Sequence, residues 1–219
     1  MSLFKPHRWY PDKEEIEREA EGILRQMQAK PKYAPKFPID PSCVAEFLGL
    51  DIVWDSIPPD AQGEIAARIL PIERLIEINE DIPSLRGGFG SSTIAHEVGH
   101  WVLHINHDEV EGLTKQQVLF EATIQPFLCR SVSELKGIEW QAQYLAGCLL
   151  MPRFVLEEKR KGRILTKWSH LYAIADELGV TISNLTTRLQ NLNWIYIPNG
   201  SKQIYLSKAA QSGQIEMFR

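Results

Sequence analysis

The sequence predicts an α+β fold, a mainly helical body carrying a small β-sheet, followed by a small winged-helix-like unit at its C-terminal end. Three observations lead there. Helical periodicity dominates the body, and only three short runs rich in β-branched residues, between residues 52 and 78, interrupt it. Charge is divided along the chain: residues 1–152 hold 14 Lys+Arg against 23 Asp+Glu, residues 153–219 hold 10 against 5, and −9 and +5 sum to the −4 of the whole. After residue 170 the order is helix, glycine turn, helix, hairpin. Three segments follow: an N-terminal helical segment over 1–34, a main domain over 35–158 and the C-terminal unit over 159–219.

Composition sets the outer limits. With 44% hydrophobic and 24% charged residues among 219, the chain can fill a core and is neither disordered nor fibrous. The longest apolar run, Tyr144 to Met151, is eight residues, against the roughly 20 that a bilayer-crossing helix requires. No apolar stretch stands behind the first charges, so no secretory signal is expected. Cys43, Cys129 and Cys148 are odd in number and lack Cys-x-x-Cys spacing, which argues against a disulfide framework or a cysteine-ligated zinc and for a cytoplasmic protein.

Taken in order, residues 12–30 read as a surface helix. Pro11 can open it, acidic residues 12, 14, 15 and 17 suit its positive end, and Ile16, Ala20, Ile23, Leu24 and Met27 recur at helical spacing. Pro31, Pro35 and Pro38 mark a linker. A short helix follows, with Asp40 as N-cap, Pro41 in its first turn and Gly49 just past its end. Strands are predicted at Ile52–Trp54, Glu64–Leu70 and Leu75–Ile78, the last two joined as a hairpin around Pro71–Arg74. Gly87-Gly88-Phe89-Gly90 breaks the chain, and Ser91 or Ser92 can cap a helix running to about Ile105. Residues 106–136 are ambiguous, with a helix expected around Lys115–Thr123 and a loop through Pro126. Glu139 to Met151 is a strong helix that Pro152 ends.

His96-Glu97-Val98-Gly99-His100 carries the chemistry. Residues four apart on a helix share a face, so both imidazoles can meet one metal ion, and Glu97 can reach a water activated there. A catalytic zinc takes three protein ligands and keeps one open position. His104 cannot be the third, because eight residues of helix span ~12 Å, and it reads instead as a core-facing histidine beside the ligands. His107 would serve only if the chain bent back. Glu139, at the start of a helix whose Ala142, Ala146 and Gly147 admit a close neighbour, is the best candidate for the third ligand.

Two segments, Ser92–His104 (Ser-Thr-Ile-Ala-His-Glu-Val-Gly-His-Trp-Val-Leu-His) and Glu139–Pro152 (Glu-Trp-Gln-Ala-Gln-Tyr-Leu-Ala-Gly-Cys-Leu-Leu-Met-Pro), together resemble the ImmA/IrrE family of bacterial metallopeptidases. Ile39–Leu50 is also similar to that family's pattern, and the likeness runs from about residue 35 to 195. It implies a zincin-like peptidase that binds Zn²⁺ through His96, His100 and Glu139, with Glu97 as general base. It also implies a substrate, a helix-turn-helix repressor cleaved to release gene expression under stress or in mobile-element transfer. Ser92 stands where the family often has an aromatic residue, and Gln143 where it often has Asn. Gln143, Tyr144 and His104 are the side chains expected around the ligands. The stretch between His104 and Glu139 is either a lid or a structural excursion.

In the basic tail, Ala175, Gly179 and Leu185 fit a helix-turn-helix. Thr181 or Ser183 caps its second helix, which is expected to expose Asn184, Thr187, Arg188 and Asn191. Trp194–Pro198 and Gln203–Leu206, around Asn199-Gly200, read as a hairpin. Only Arg188 offers a cation on that second helix, whereas DNA affinity rests on several phosphate contacts. A scaffold or a surface for the protein substrate is therefore preferred over DNA binding. The rival functions are a DNA-binding regulator with a non-catalytic metal site and a protein that sequesters a repressor without cutting it. Trp101, Trp140, Trp168 and Cys148 are expected in the core.

Overall fold

A computed structural model describes residues 12–61, 63–85, 88–117, 127–128, 136–206 and 208. The chain divides into two compact units, Met1–Leu150 and Met151–Arg219, so the division falls eight residues before the expected one.

In the first unit, helix α1 (Lys13–Gln28) starts at a reciprocal cap: Asp12 Oδ1 accepts from the Glu15 N–H at 2.9 Å, and Glu15 Oε2 accepts from the Asp12 N–H at 3.0 Å. Its stripe Ile16, Ala20, Ile23, Leu24 and Met27 is buried as the periodicity predicts. Rather than standing apart as its own segment, α1 belongs to this unit and packs on α5 (Lys136–Leu150). A single 3₁₀ turn, Pro31–Tyr33, leads to α2 (Pro41–Phe47), where the Asp40 carboxylate accepts from the Ser42 N–H at 2.9 Å. Gly49 follows at φ +76°, a backbone shape that favours glycine and turns the chain into the sheet.

The sheet has the order β1-β3-β2-β4, with β1 Asp51–Asp55, β2 Ala67–Leu70, β3 Leu75–Asn79 and β4 Phe127–Leu128. Strands β2 and β3 form the predicted antiparallel hairpin, with Ile69 opposite Ile76. Arg74 at φ +51° closes its turn. Strand β1 joins β3 in parallel, and β4 pairs antiparallel with β2. Ala67, Ile69, Ile76 and Ile78 alternate with more exposed neighbours and are fully buried. The second strand is shorter than expected because Glu64 to Ala66 belong to an irregular loop. The Asn79 amide ties that loop down, donating to the carbonyls of Ile57 and Ile65 at 3.0 and 2.9 Å.

Helix α3 (Gly88–His104) is central, touching α2, α5, β2 and β3. It begins ahead of the two serines expected to cap it. The Gly-Phe-Gly stretch is its first turn, and glycine is needed at 90 because a Cβ there would lie 2.0 Å from the Leu85 carbonyl oxygen. Helix α4 (His107–Gln117) sits earlier than the helix expected around 115–123. The rest of that expected helix, and the lid reading over 118–126 and 129–135, lie outside the described residues. No helix among the described residues is long and apolar enough to cross a membrane.

The second unit contains α6 (Arg153–Lys159), α7 (Trp168–Glu177) and α8 (Ile182–Asn191). Gly179 turns the chain at φ +62°, and Thr181 caps α8 by accepting from the Asn184 N–H at 3.2 Å. Ala175 and Leu185 are buried between α7 and α8. The expected hairpin is reduced to one antiparallel bridge, Tyr196 with Tyr205, which bond through both backbone pairs at 2.7 and 2.9 Å. Arg188 departs from expectation. It is buried, and its Nε donates to the Met151 carbonyl at 3.1 Å.

Candidate metal centre

The site lies where α3 and α5 cross. Their approach is close at Gly99, where a Cβ would sit 2.6 Å from the Ala142 carbonyl oxygen and 2.8 Å from its Cα. Ala142, one of the small residues predicted on the second helix, thus meets a glycine on the first. One turn of α3 carries His96 and His100 on the face towards α5, and the first turn of α5 carries Glu139.

The side chains converge. His96 Nε2 lies 3.0 Å from Glu139 Oε2 and 3.1 Å from His100 Nε2, and His100 Nε2 lies 3.4 Å from Glu139 Oε1. All donor atoms fall within 4.8 Å of one another. Four ligands arranged tetrahedrally around an ion at ~2.0–2.1 Å stand ~3.3–3.4 Å apart, so this triangle has the dimensions of one face of such a shell. His96, His100 and Glu139 therefore form a triad able to hold one metal ion. His100 is fully buried, whereas the side chains of His96 and Glu139 keep 14% and 21% of their surface open, which leaves one side accessible.

Electrostatics favour a cation here. Burial alone would raise the Glu139 pKa, but the hydrogen bonds and charges of His100 and His96 outweigh it and hold the carboxyl at about 2. Burial lowers the His96 pKa, yet the Glu139 hydrogen bond and the charges of Glu97 and Glu139 reverse this, so His96 is shifted up. The raised His96 value reports a negative field at its ring, and the lowered Glu139 value keeps the carboxylate ionised beside it. Glu97, next to His96 on α3, is completely buried.

The surrounding residues divide. His104 is buried beside the pair, with Nδ1 3.0 Å from His100 Nδ1. Gln143 is exposed on α5 and favours protonated His96. Tyr144 is directed elsewhere: its hydroxyl donates to Glu17 Oε1 on α1 at 3.0 Å, and its ring stacks on Trp140. Trp140 is 41% exposed, contrary to its expected place in the core, while Trp101 and Cys148 are buried as expected. His107 is no ligand. It opens α4, donates to the Trp101 carbonyl at 2.8 Å and stacks on the Trp101 ring. Sequence reasoning missed Gln141, buried on α5 with Oε1 3.0 Å from His104 Nε2. The available signal was His104 itself, since a histidine assigned to a core requires a polar partner there.

No family model matches the chain, and no curated protein does. Among solved structures it is similar to a Mycobacterium tuberculosis transcriptional regulator, at 12% identity and a TM-score of 0.48, over 79% of this chain and 47% of that one. The chain thus spans about half the length of that regulator, and at this likeness nothing of its function carries over.

Proposed function

We propose that the chain is a zinc-dependent endopeptidase, zincin-like in its first unit, that cleaves a helix-turn-helix transcriptional repressor to relieve repression. The observation that carries this reading is the convergence of His96, His100 and Glu139 on one point beside the buried Glu97. A purely structural ion has no use for that carboxylate. The substrate class rests on the resemblance of residues 92–104 and 139–152 to the ImmA/IrrE family.

In this reading His96, His100 and Glu139 would hold the ion through their converging donor atoms. When bound, zinc supplies Lewis acidity, polarising a peptide carbonyl and making a water acidic near neutral pH. Glu97 takes the proton of the attacking water on its carboxylate and delivers it to the departing amine nitrogen. The neighbouring α5 keeps bulk water from the buried side of His100.

The second unit is read as winged-helix-like, on α7, the Gly179 turn, α8 and the Tyr196–Tyr205 pairing. Because α8 carries Arg188 as its one cation and buries it, a protein surface suits this unit better than a DNA-reading one. Three cysteines, an odd number without Cys-x-x-Cys spacing, suit a cytoplasmic place of action.

Elemental analysis and a cleavage assay test the proposal together. About one zinc per wild-type chain is expected, with little in Glu139→Ala, and a co-expressed repressor of this class should be cut by wild type but not by Glu97→Gln. A wild type that takes up no zinc when supplied, or cleavage that survives Glu97→Gln, overturns it.

A further inference from the structure

Behind the ligands, three buried side chains form a line from α3 to α5. His100 Nδ1 lies 3.0 Å from His104 Nδ1, and His104 Nε2 lies 3.0 Å from Gln141 Oε1. All three residues are at most 6% exposed, so these contacts are shielded from exchange with bulk water. From this line we infer that Gln141, acting through His104, fixes the ring tautomer of His100 and thereby keeps its Nε2 available to a metal ion.

The reasoning follows the protons. An amide oxygen only accepts, so His104 Nε2 carries the hydrogen that points to Gln141. A neutral imidazole has a single N–H, which leaves His104 Nδ1 as a lone pair. Across the 3.0 Å gap that lone pair requires a donor, and His100 Nδ1–H is the group facing it. His100 then has its own lone pair on Nε2, the atom that stands 3.1 Å from His96 Nε2 and 3.4 Å from Glu139 Oε1. The opposite polarity would place a hydrogen on His100 Nε2 and block the atom that faces the triad. Gln141 and His104 are thus positioning residues. They touch neither substrate nor reacting atoms, and they act by selecting one of two proton arrangements in a ligand.

This inference deepens the metal reading and rests on it in its affinity arm alone. The other arm needs no metal: nitrogen-15 histidine spectra of the metal-free protein, at a pH where the imidazoles are neutral, report which ring nitrogen carries the proton. The expected pattern is Nδ1–H on His100 and Nε2–H on His104, with a mixture of tautomers at His104 in Gln141→Leu. Competition of zinc between protein and a chelator gives the affinities. Gln141→Leu and His104→Leu should bind about 10–100-fold more weakly than wild type. His104→Asn, whose amide oxygen can accept from His100 Nδ1–H, should recover most of that loss. Circular dichroism checks that each variant folds, and if His104→Leu does not, Gln141→Leu and the wild-type spectra decide the matter. Nδ1–H on His104 in the wild type, or unchanged affinity in a folded Gln141→Leu, overturns the relay. A wild type that binds no zinc defeats the metal reading instead, and the metal-free spectra still decide the relay.

Discussion

The α3–α5 pair and the α7–α8 pair are both helices packed face to face, but they treat buried polar side chains in opposite ways. Between α7 and α8 the interior is aliphatic, and the buried Arg188 ends on a backbone carbonyl, that of Met151. Glu97, His100, His104 and Gln141 are all buried on α3 and α5, and the line formed by the last three ends on two imidazole nitrogens, of His100 and His96, facing each other at 3.1 Å next to a carboxylate. A buried polar group costs stability unless something satisfies it. The second unit answers that requirement within its own backbone. At the α3–α5 crossing the ligand atoms require a proton or a cation between them, which is why this crossing, and not the other, is read as the working site.

The contrast can be broken at several points. Glu97→Gln should have the largest effect, lowering the rate of repressor cleavage by about 10²–10⁴-fold while zinc content stays at the wild-type level. A fall in zinc to match would make Glu97 structural. Next, zinc supplied at about 100 times its Kd should stabilise the first unit by about 2.7 kcal/mol, and Glu139→Ala should lose most of that gain in a thermal melt followed with and without zinc. On the other side of the comparison, Arg188→Leu should cost the second unit about 2 kcal/mol, seen as an earlier denaturant midpoint, with zinc affinity unchanged. If that variant instead left stability intact and abolished binding to DNA, the structural reading of α8 would fail.

The smallest effect concerns pH. Glu177 is paired with Arg163 and with Lys159, the latter at 2.8 Å, and hydrogen bonds from these cations hold its carboxyl well below the ordinary range, at about 2. A carboxyl whose folded pKa is depressed adds stability that is complete above the unfolded value and lost as pH falls towards the folded one. The second unit should therefore weaken between about pH 4.5 and 2, and Glu177→Gln should flatten that dependence in acid-unfolding curves, lowering stability slightly in the neutral range and leaving the most acid range nearly unaffected.

How far the sequence could be read depended on the range of each interaction. His96 and His100 were visible because four residues of helix are a local ruler, and Asp12, Asp40 and Gly49 because caps are local too. Glu139 required one inference across 39 residues, and small side chains on its helix supplied it. Arg188 was misplaced on the exposed face because its partner is a backbone carbonyl 37 residues away, which no periodicity records. The Gly-Phe-Gly pattern reads as a breaker, whereas Gly90 makes room for the Leu85 carbonyl inside a helix, and Gln141 has no helical spacing to either histidine that would mark it. Strand β4, two residues long, is held by pairing with β2 rather than by its own composition.

Gly99 has a mechanical consequence. It stands beside one ligand of α3, and Ala142, which its bare backbone touches, is three residues after the ligand of α5. The gauge between the two helices is therefore cut by protein atoms in contact, so an ion would enter a socket rather than draw its walls together. Many small metal domains fold around their ion; this one should tolerate repeated stripping and reloading with its chain still folded. A single methyl group at position 99 would open the gauge, and the triad would no longer close on one ion.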